Sequence, residues 1–366
     1  MVGIYKCSEY DENKLDDVIN KLFLEHGFDE MILKGMNVAL KPNLVSKKKP
    51  GEAVTTHPLF IKAVAKKIIS LGANVVLCDS FFSSYKENVL ENYYTYNELK
   101  PLEEIGLKLN YDTSSEYVKI KGDLVSGCDI ISPILNSDLV INLAKVKTHS
   151  LLNFSCATKN MFGILPGLRK TEMHSRFPKQ IDFANAVIDI SLAIKNQISI
   201  VDGILALEGN GPTAGTPRKL GVILASENQF ELDYVANEII GMDVKDSYIV
   251  AESIKRNLCD PTNIKVVGEK IENVKVTGFK FPDTIGKKTM GIGAGFAKHI
   301  KPYPIFNKDK CKLCKICIER CPRGALCVKN GKISLIKKKC IACFCCHEHC
   351  PYKAIDIKHV LNLSKE

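Results

Sequence analysis

A chain of 366 residues, of which 45% are hydrophobic and 25% charged, has the size and composition of a globular protein with about two or three domains. No run approaches the ~20 consecutive apolar residues of a membrane span, and the first residues do not form an apolar signal segment. These features disfavour a membrane-spanning or secreted protein, and we expect a cytoplasmic one.

The net charge of +10 is concentrated in the last part of the chain. Residues 301–366 hold fifteen Lys and Arg against five Asp and Glu, while the basic and acidic residues before them cancel. A locally positive surface suits an acidic partner protein that is steered by electrostatic attraction. Nucleic acid is the alternative partner, but we disfavour it because interleaved aromatic residues and a recognised nucleic-acid motif are missing.

The first clear unit is a strand, a helix and a second strand. Residues 37–42 form a short apolar strand, and an amphipathic helix follows, capped by Thr55 or Thr56 and ending near Leu71. Residues 74–79 form the next strand. Strand, helix and strand at this spacing predict a parallel crossover unit.

Three polar residues follow the two strands of this unit. Lys41, Asn43 and Asp79 are placed where the strands end. Open α/β sheets bind ligands at the carboxyl ends of their strands. The sequence therefore predicts a binding site that contains these side chains.

The stretch 138–149 is the most informative one outside the tail. Its apolar strand ends in Lys145, Lys147 and His149 at alternate positions, which would point to one face of an extended backbone. Two ammonium groups and an imidazole would bind a carboxylate or phosphate, and His149 could transfer a proton near neutral pH. The alternative is a solvated strand end, where lysines are common.

More polar residues follow this strand. Lys159, Asn160 and His174 come soon after it and favour a functional site. A helix at 181–194 and a further parallel strand at 198–203 lead to a glycine-rich loop.

The glycine-rich loop spans residues 207–217. It lacks the endings of a P-loop or a dinucleotide fingerprint, so it either presents backbone N–H groups to an anion or forms a plain turn. Glu208 is a candidate acid, base or metal ligand, with a structural salt bridge as the alternative.

The rest of the α/β part carries little chemistry. The sequence predicts a strand at 219–225, helices at 232–240 and 246–256, and late strands at 263–268 and 273–278. Residues 281–301 are apolar but aperiodic and predict a connector. We therefore expect an α/β domain at 1–302 and a second domain at 303–366.

The tail contains one cysteine pattern written twice. In each copy, three cysteines separated by two residues precede a Cys-Pro pair three residues further on. The copies are Cys311, Cys314, Cys317 and Cys321, then Cys340, Cys343, Cys346 and Cys350. This spacing predicts two [4Fe–4S] clusters rather than a disulfide framework or zinc sites. Such clusters need free thiolates, which favours a reducing, oxygen-poor compartment.

The tail resembles the bacterial two-cluster ferredoxins, in which the fourth cysteine of each motif crosses to the other cluster. The resemblance implies that Cys311, Cys314, Cys317 and Cys350 hold cluster 1, and that Cys340, Cys343, Cys346 and Cys321 hold cluster 2. Cys327 is left over, and we expect it to serve packing. Cys345 would fit a shifted register, but only Cys346 keeps the two-residue gap after Cys343.

Several short motifs along the α/β part resemble those of the domain of unknown function 362 family, many of whose members carry a two-cluster ferredoxin module. They are Lys41-Pro-Asn43, Thr56-His57-Pro58, Asp79-Ser80, Asn142 through His149, Lys159-Asn160-Met-Phe-Gly163, Asp202-Gly203, Glu208-Gly-Asn-Gly-Pro212 and Gly241-Met-Asp243. The resemblance implies an α/β fold distantly similar to the N-terminal part of nickel-pincer lactate racemases. The pincer-attachment site has no clear match here, so a nickel pincer is not expected.

Together these patterns predict an α/β protein, with a mainly parallel sheet and flanking helices, joined to a small α+β ferredoxin-type domain. The favoured function is an oxidoreductase that takes electrons from an acidic carrier of ferredoxin or flavodoxin type and reduces an anionic substrate or cofactor. The residues assigned to substrate binding are Lys41, Asn43, His57, Lys145, Lys147, Lys159 and Asn160. Those assigned to proton transfer or its orientation are His149, His174, Asp79 and Glu208.

Two other functions stay open at this point. One is a non-catalytic electron carrier or adaptor, and the other is an iron–sulfur or metallocofactor maturation protein. A deep cleft lined by the lysines would favour the oxidoreductase, a flat surface the adaptor, and readily transferred clusters the maturation protein.

Overall fold

The computed structural model describes residues 1–81, 83–285 and 300–361. Its α/β part is built on one large sheet. The strands of this part are β1 (Val2–Lys6), β2 (Asn37–Pro42), β3 (Asn74–Leu77), β4 (Lys108–Leu109), β5 (Ser115–Lys119), β6 (Gly127–Ile131), β7 (Leu139–His149), β8 (Asn153–Ser155), β9 (Gln197–Glu208), β10 (Thr216–Ser226) and β11 (Val266–Gly268).

The large sheet is mainly parallel. Its order is β11-β1-β10-β9-β7-β2-β3-β4, with β8 paired to β7, while β5 and β6 form a separate antiparallel pair. The parallel pairs are β1 with β11, β7 with β9, β2 with β7, β2 with β3, and β3 with β4. Only β10, against both its neighbours, and β8 pair antiparallel in the described part of this sheet. The predicted fold class is confirmed.

Helices cover both faces of the sheet. They are α1 (Glu12–His26), α2 (Phe28–Met31), α3 (Pro58–Ser70), α4 (Glu87–Tyr96), α5 (Ser132–Leu135), α6 (Ala157–Asn160), α7 (Arg169–Arg176), α8 (Gln180–Ser191), α9 (Gln229–Ile240), α10 (Tyr248–Lys255) and α11 (Ile271–Val274). In β2, Val38 and Leu40 pack into the core that contains α1 and α3, and Ala39 packs into the opposite core. Burial on both faces explains why this strand is a continuous apolar run.

The predicted crossover unit is present as β2, α3 and β3. The apolar stripe of α3 is buried, but its cap differs from the prediction. The Nδ1 atom of His57 accepts a hydrogen bond from the Leu59 N–H at 3.2 Å. Thr56 instead donates to the Leu143 carbonyl at 2.8 Å and accepts from the Asn43 N–H at 2.8 Å. The prediction of a threonine cap was wrong because the Thr56 hydroxyl ties the Asn43 loop to β7.

Three other local predictions need correction. Residues 273–278 form no strand, because Ile271–Val274 is a short helix that buries Val274. The helix predicted at 246–256 begins at Tyr248, after a 3₁₀ turn at Val244–Asp246. Strand β9 continues to Glu208, so the glycine-rich loop begins later than predicted. Most of the predicted connector, residues 286–299, lies outside the described residues.

The C-terminal part is a small module of two-stranded sheets and short helices. Its elements are β12 (Ile300–Phe306), α12 (Ile316–Glu319), β13 (Leu326–Lys329), β14 (Lys332–Leu335), α13 (Cys345–Glu348) and β15 (Ile355–Leu361). Strand β12 pairs antiparallel with β15, and β13 with β14. Cys317, at the start of α12, and Cys346, in α13, share one core with Leu326, Ile333 and Ile355. The predicted boundary at 302–303 falls within β12.

In the described ranges, no helix combines the length and the apolar character that crossing a membrane requires.

Candidate functional site

A cavity of about 550 Å³ lies beyond the carboxyl ends of β2 and β3, beside the end of β7. Eight of the sequence-predicted site residues line it. They are Lys41, Asn43, Asp79, Lys147, His149, Lys159, Asn160 and His174. The prediction that strand ends bring these side chains together thus agrees with their placement. Lys147 and His149 are buried, so the alternative of a solvated strand end does not hold.

One wall of the cavity is a buried ion pair. The Lys41 ammonium lies 2.7 Å from Asp79 Oδ1 and also donates to the Pro42 carbonyl at 2.7 Å. The second carboxylate oxygen of Asp79 accepts the Leu44 N–H at 2.8 Å. A Cβ at Gly163 would lie 2.3 Å from Lys41 Nζ, so only glycine allows this helical turn to approach the pair. Asp79 is therefore held as a charged partner of Lys41.

A chain of amide side chains forms the floor. Asn43 Nδ2 donates to Asn160 Oδ1 at 2.9 Å, and Asn160 Nδ2 donates to Asn142 Oδ1 at 2.7 Å. Lys147 joins this chain by donating to Asn43 Oδ1 at 2.7 Å, and it also donates to the Val54 carbonyl at 2.8 Å. Each amide is oriented by its neighbours, so the floor is rigid.

Sequence reasoning missed Lys170, which also lines the cavity. Its ammonium donates to the Leu165 carbonyl at 2.6 Å and to the carbonyl and hydroxyl of Ser80 at 2.7 and 3.0 Å. Burial lowers its pKa well below the usual range. A lone lysine in a polar helix such as α7 gives no sequence signal, because lysines there normally face solvent.

Lys159 differs from the other three cavity lysines. Its ammonium lies 4.2 Å from the centre of the Phe162 ring and 5.8 Å from that of Phe183. Across the described ranges, no protein atom accepts a hydrogen bond from it. Burial lowers the pKa of Lys159 to about 8, and the nearby Glu348 carboxylate opposes this shift. Its three N–H donors are therefore available to an anionic ligand.

His149 presents a neutral imidazole to the cavity. Its Nδ1 atom accepts the N–H groups of Leu151 and Leu152 at 3.1 and 3.2 Å. A nitrogen that accepts two hydrogen bonds carries no proton, so the proton of the neutral ring lies on Nε2. Burial and the nearby Lys159 hold its pKa well below the usual range. The titration near neutral pH that the sequence predicted for this residue is not supported by its surroundings.

His174 lines the same cavity from α7. Its ring stacks on Phe183 with the ring centres 4.2 Å apart. Burial, with the nearby Lys159, lowers its pKa well below the usual range. The neutral ring lines the cavity with both apolar carbon atoms and polar nitrogen atoms.

The C-terminal module supplies Glu348, which sequence reasoning missed. This carboxylate lines the cavity with Oε1 3.4 Å from His149 Nε2, and it is only 5% exposed. Burial raises the pKa of Glu348 to about 7, against the opposing charges of Lys159 and Lys147. Glu348 lies between two motif cysteines, and no local sequence signal distinguishes it from an ordinary surface carboxylate.

The glycine-rich loop holds the module in place. Thr213 donates its hydroxyl hydrogen to the Glu348 carbonyl at 2.7 Å, and His347 Nε2 lies 3.1 Å from the Asn210 carbonyl. Arg320 of the module donates to the Ser83 hydroxyl at 3.1 Å. The loop thus contacts α13 directly, and its residue Pro212 lines the cavity.

Three of the predicted site residues lie outside the cavity. Lys145 is paired with Asp202 at 2.8 Å and donates to the Tyr10 hydroxyl at 3.1 Å. His57 stacks on Tyr10 with ring centres 3.7 Å apart and caps α3. The Asp202 carboxylate, 57 residues from Lys145, draws these groups into a separate buried network.

Glu208 is the third of these residues. It accepts the Lys280 N–H at 3.0 Å, and the Lys280 ammonium lies 3.9 Å away. The structural salt bridge, which the sequence left open, is the arrangement found.

The eight motif cysteines surround two further cavities. One, of about 340 Å³, is lined by Cys311, Cys314, Cys317 and Cys350. The other, of about 350 Å³, is lined by Cys321, Cys340, Cys343 and Cys346, together with Cys345. This is the crossed grouping that the ferredoxin resemblance implies.

These thiols fit the clusters that their spacing predicts. All fifteen cysteines are free, and four motif thiols around each cavity make the donor set of a [4Fe–4S] cluster. No three Cys, His, Asp or Glu side chains in the described residues lie close enough together to hold a single ion. A cluster is larger than an ion and is bound by more widely spaced thiolates.

Comparison with known families agrees with this reading of the two parts. Residues 38–238, more than half of the chain, match the family described as domain of unknown function (DUF362). The chain belongs to this family. Residues 304–327 match the 4Fe-4S binding domain, which contains the first cysteine motif. This DUF362 protein is therefore an iron–sulfur protein with at least one [4Fe–4S] cluster.

The DUF362 match contains every cavity residue named above except Glu348. One relative of this DUF362 protein is the thylakoid-associated protein sll1697 of Synechocystis sp. The two are 32% identical over 218 residues, which are 59% of this chain and 67% of the relative.

A solved structure, the lactate racemase apoprotein of Thermoanaerobacterium thermosaccharolyticum, is more distantly similar. The identity is 9% and the TM-score 0.39, and the match covers 64% of this chain and 55% of the racemase chain. A similarity this low supports no statement about activity.

Proposed function

We propose that this protein is an iron–sulfur oxidoreductase that reduces an anionic substrate or cofactor in the lysine-lined cavity. The observation that carries the proposal is the position of α13. This four-residue helix contains Cys346 of the second cysteine group and also Glu348, which lines the cavity. The cysteine module and the candidate binding site therefore share one wall.

The proposal includes two [4Fe–4S] clusters. The first motif belongs to the matched 4Fe-4S domain, and the second rests on the repeated spacing and on the four thiols around the second cavity. When bound, such clusters supply one-electron transfer at potentials set by their surroundings. Cys317 and Cys346 lie in one core on the neighbouring helices α12 and α13, which brings the two groups of thiols together.

The chain's own residues then bind and orient the substrate. Lys159 would bind an anionic group, since none of the described residues accepts a hydrogen bond from its ammonium, which lies over the Phe162 ring. His149 would donate a hydrogen bond from Nε2 to the substrate. The Glu348 carboxylate lies next to that nitrogen and would accept a hydrogen bond from the substrate. The Lys41–Asp79 pair and the amide floor would hold these groups in position.

The lining of the cavity favours this function over the two alternatives. A non-catalytic adaptor needs a recognition surface, and that role does not call for a recess lined by four lysines and two histidines. No observation on the molecule favours cluster transfer to another protein. A fused cluster module also gives electron delivery a high effective concentration.

The cellular setting is part of the proposal. We place the protein in a reducing cytoplasm with little oxygen, because fifteen free cysteines suit that compartment. Its electrons would come from an acidic carrier protein, since the module carries the positive net charge.

The proposal can be tested by reoxidation of the reduced protein. Protein reduced with dithionite under anaerobic conditions is mixed with the anionic small-molecule fraction of a cell extract, and the recovery of cluster absorbance is followed. We expect reoxidation faster than in buffer, and at least about tenfold slower reoxidation in Lys159→Ala, because an ion pair in a desolvated site contributes more than 1.4 kcal/mol. Lys121→Ala, a change at an exposed lysine, is the control. Two results would argue against the proposal. One is that the unmodified protein is reoxidised equally fast in buffer and in extract, and the other is that Lys159→Ala and the control variant are reoxidised equally fast.

A further inference from the structure

A short exposed loop of the cysteine module contains Cys314. Of the fifteen cysteines, all of which lie in the described residues, Cys314 is the exposed one. Its neighbours Lys312, Leu313 and Lys315 are exposed as well. The thiols of the second group are buried or half-buried. Cluster 1 would therefore have the edge that is open to another molecule.

This loop combines an apolar centre with a basic rim. Leu313 and Tyr352, which both line the Cys314 cavity, are 38% and 46% exposed. Lys312 and Lys315 line the same cavity. Protein interfaces typically have such an apolar centre and polar rim. Nucleic acid and anionic membranes also bind lysines, but the exposed motif cysteine beside this patch favours a redox partner protein.

The opposite end of the module faces inward. Glu348 of α13 lines the same cavity as Lys159. Cys317 and Cys346 belong to one hydrophobic core and lie on the neighbouring helices α12 and α13, so this core joins the two ends. The two ends of the module thus face different surroundings. The outer end, at Cys314, faces solvent, and the inner end faces the lysine-lined cavity.

We propose that an acidic one-electron carrier protein docks on the outer face formed by Lys312, Leu313, Cys314, Lys315 and Tyr352. This inference rests on the proposed function and specifies where its electrons are received. In each encounter the carrier loses one electron and the module gains one, and no covalent bond forms or breaks. The acidic surface of the carrier would meet the lysine rim, and its apolar centre would cover Leu313 and Tyr352.

The experiment uses the intact cluster-loaded protein and a purified acidic flavodoxin as the probe. The test variant is Lys312→Glu/Lys315→Glu. The control is Lys338→Glu/Lys339→Glu, which makes the same charge change at two exposed lysines beside the second motif. Binding is measured by anaerobic calorimetry at low and high ionic strength. Stopped-flow absorbance then follows reduction of the module by reduced flavodoxin.

We expect the test variant to bind flavodoxin at least about tenfold more weakly at low ionic strength, with the difference shrinking at high salt. The control should stay within about twofold of the unmodified protein, since its charges lie away from the docking contacts. Equal weakening in both variants, or in neither, would overturn the proposal. Tighter binding to phosphatidylserine vesicles or duplex DNA than to flavodoxin would also overturn it.

Two further measurements keep the outcome decisive. If the charge-reversed variant loses iron, Lys312→Gln/Lys315→Gln is measured instead and should show a smaller weakening of the same sign. The dithionite-reduced protein reports on the cavity without any carrier. A failure of the docking face would leave that reaction unchanged, and a failure of the cavity reaction would leave flavodoxin binding unchanged.

Discussion

At the scale of single residues, the cavity separates structural lysines from one that is available to a ligand. Lys41, Lys147 and Lys170 donate to protein oxygens, whereas Lys159 lies over aromatic rings. A buried ammonium with its hydrogen bonds satisfied holds the walls together, and an unsatisfied one attracts an anion. Three of the four cavity lysines thus hold protein oxygens, and Lys159 is the one that we propose binds the anion.

Because burial lowers the pKa of Lys159 to about 8, anion binding should depend on pH. The ammonium is charged below this pKa, so its contribution is present at pH 7 and is lost as the pH rises through about 8. We expect affinity for the extracted ligand to fall between pH 7 and 9.5, as measured by anaerobic calorimetry. In Lys159→Gln the affinity should be lower and should fall less over this range, since only the deprotonation of Glu348, whose pKa burial raises to about 7, remains in that variant. A wild-type affinity that is unchanged up to pH 9.5 would contradict the role of Lys159.

At the scale of elements, the site depends on the close approach of the helical turn at residues 157–164 to β2 and β3. Gly163 lies against the Lys41–Asp79 pair, where a Cβ would be 2.3 Å from one atom and 2.5 Å from the other. Because both partners are buried, neither can move away without breaking the pair. The φ of Gly163 is not positive, so its backbone conformation does not require glycine. The close approach to the ion pair is what requires it.

Gly163→Ala should therefore destabilise the protein by about 1–3 kcal/mol, the usual cost of overpacking a core. The matched control is Gly51→Ala, where an added Cβ meets no atom within 4 Å. Its effect should stay below about 0.5 kcal/mol. Anaerobic denaturant unfolding of both variants measures the difference. Similar stabilities would show that the turn has room to relax.

Some of the site residues could be predicted from the sequence, and others could not. Lys41, Asn43 and Asp79 were predictable, because local apolar periodicity places the strand ends and the parallel topology brings them to one edge. The pairing of Lys145 with Asp202 was not predictable, because it depends on which strands are neighbours in the sheet. Motif spacing likewise predicted the eight cysteines, and the ferredoxin resemblance implied their crossed grouping.

At the scale of the whole molecule, the site depends on a contact between distant parts of the chain. Glu348 reaches His149 across 199 positions, and the glycine-rich loop holds α13 in place through Thr213 and Asn210. No periodicity or motif in a single sequence encodes such a contact. The molecule can be described as a binding cavity whose remaining wall is provided by its cysteine module.

The central claim is that two [4Fe–4S] clusters lie beside a cavity that binds an anionic small molecule. The most direct measurement is anaerobic purification, followed by iron and sulfide analysis and by extraction and mass spectrometry of bound small molecules. We predict about eight irons and eight sulfides per chain, as two cubane clusters require, together with an anionic compound that Lys159→Ala fails to retain. About four irons, or zinc in place of iron, would contradict the two-cluster assignment, and a compound retained equally by Lys159→Ala would contradict the role of the cavity.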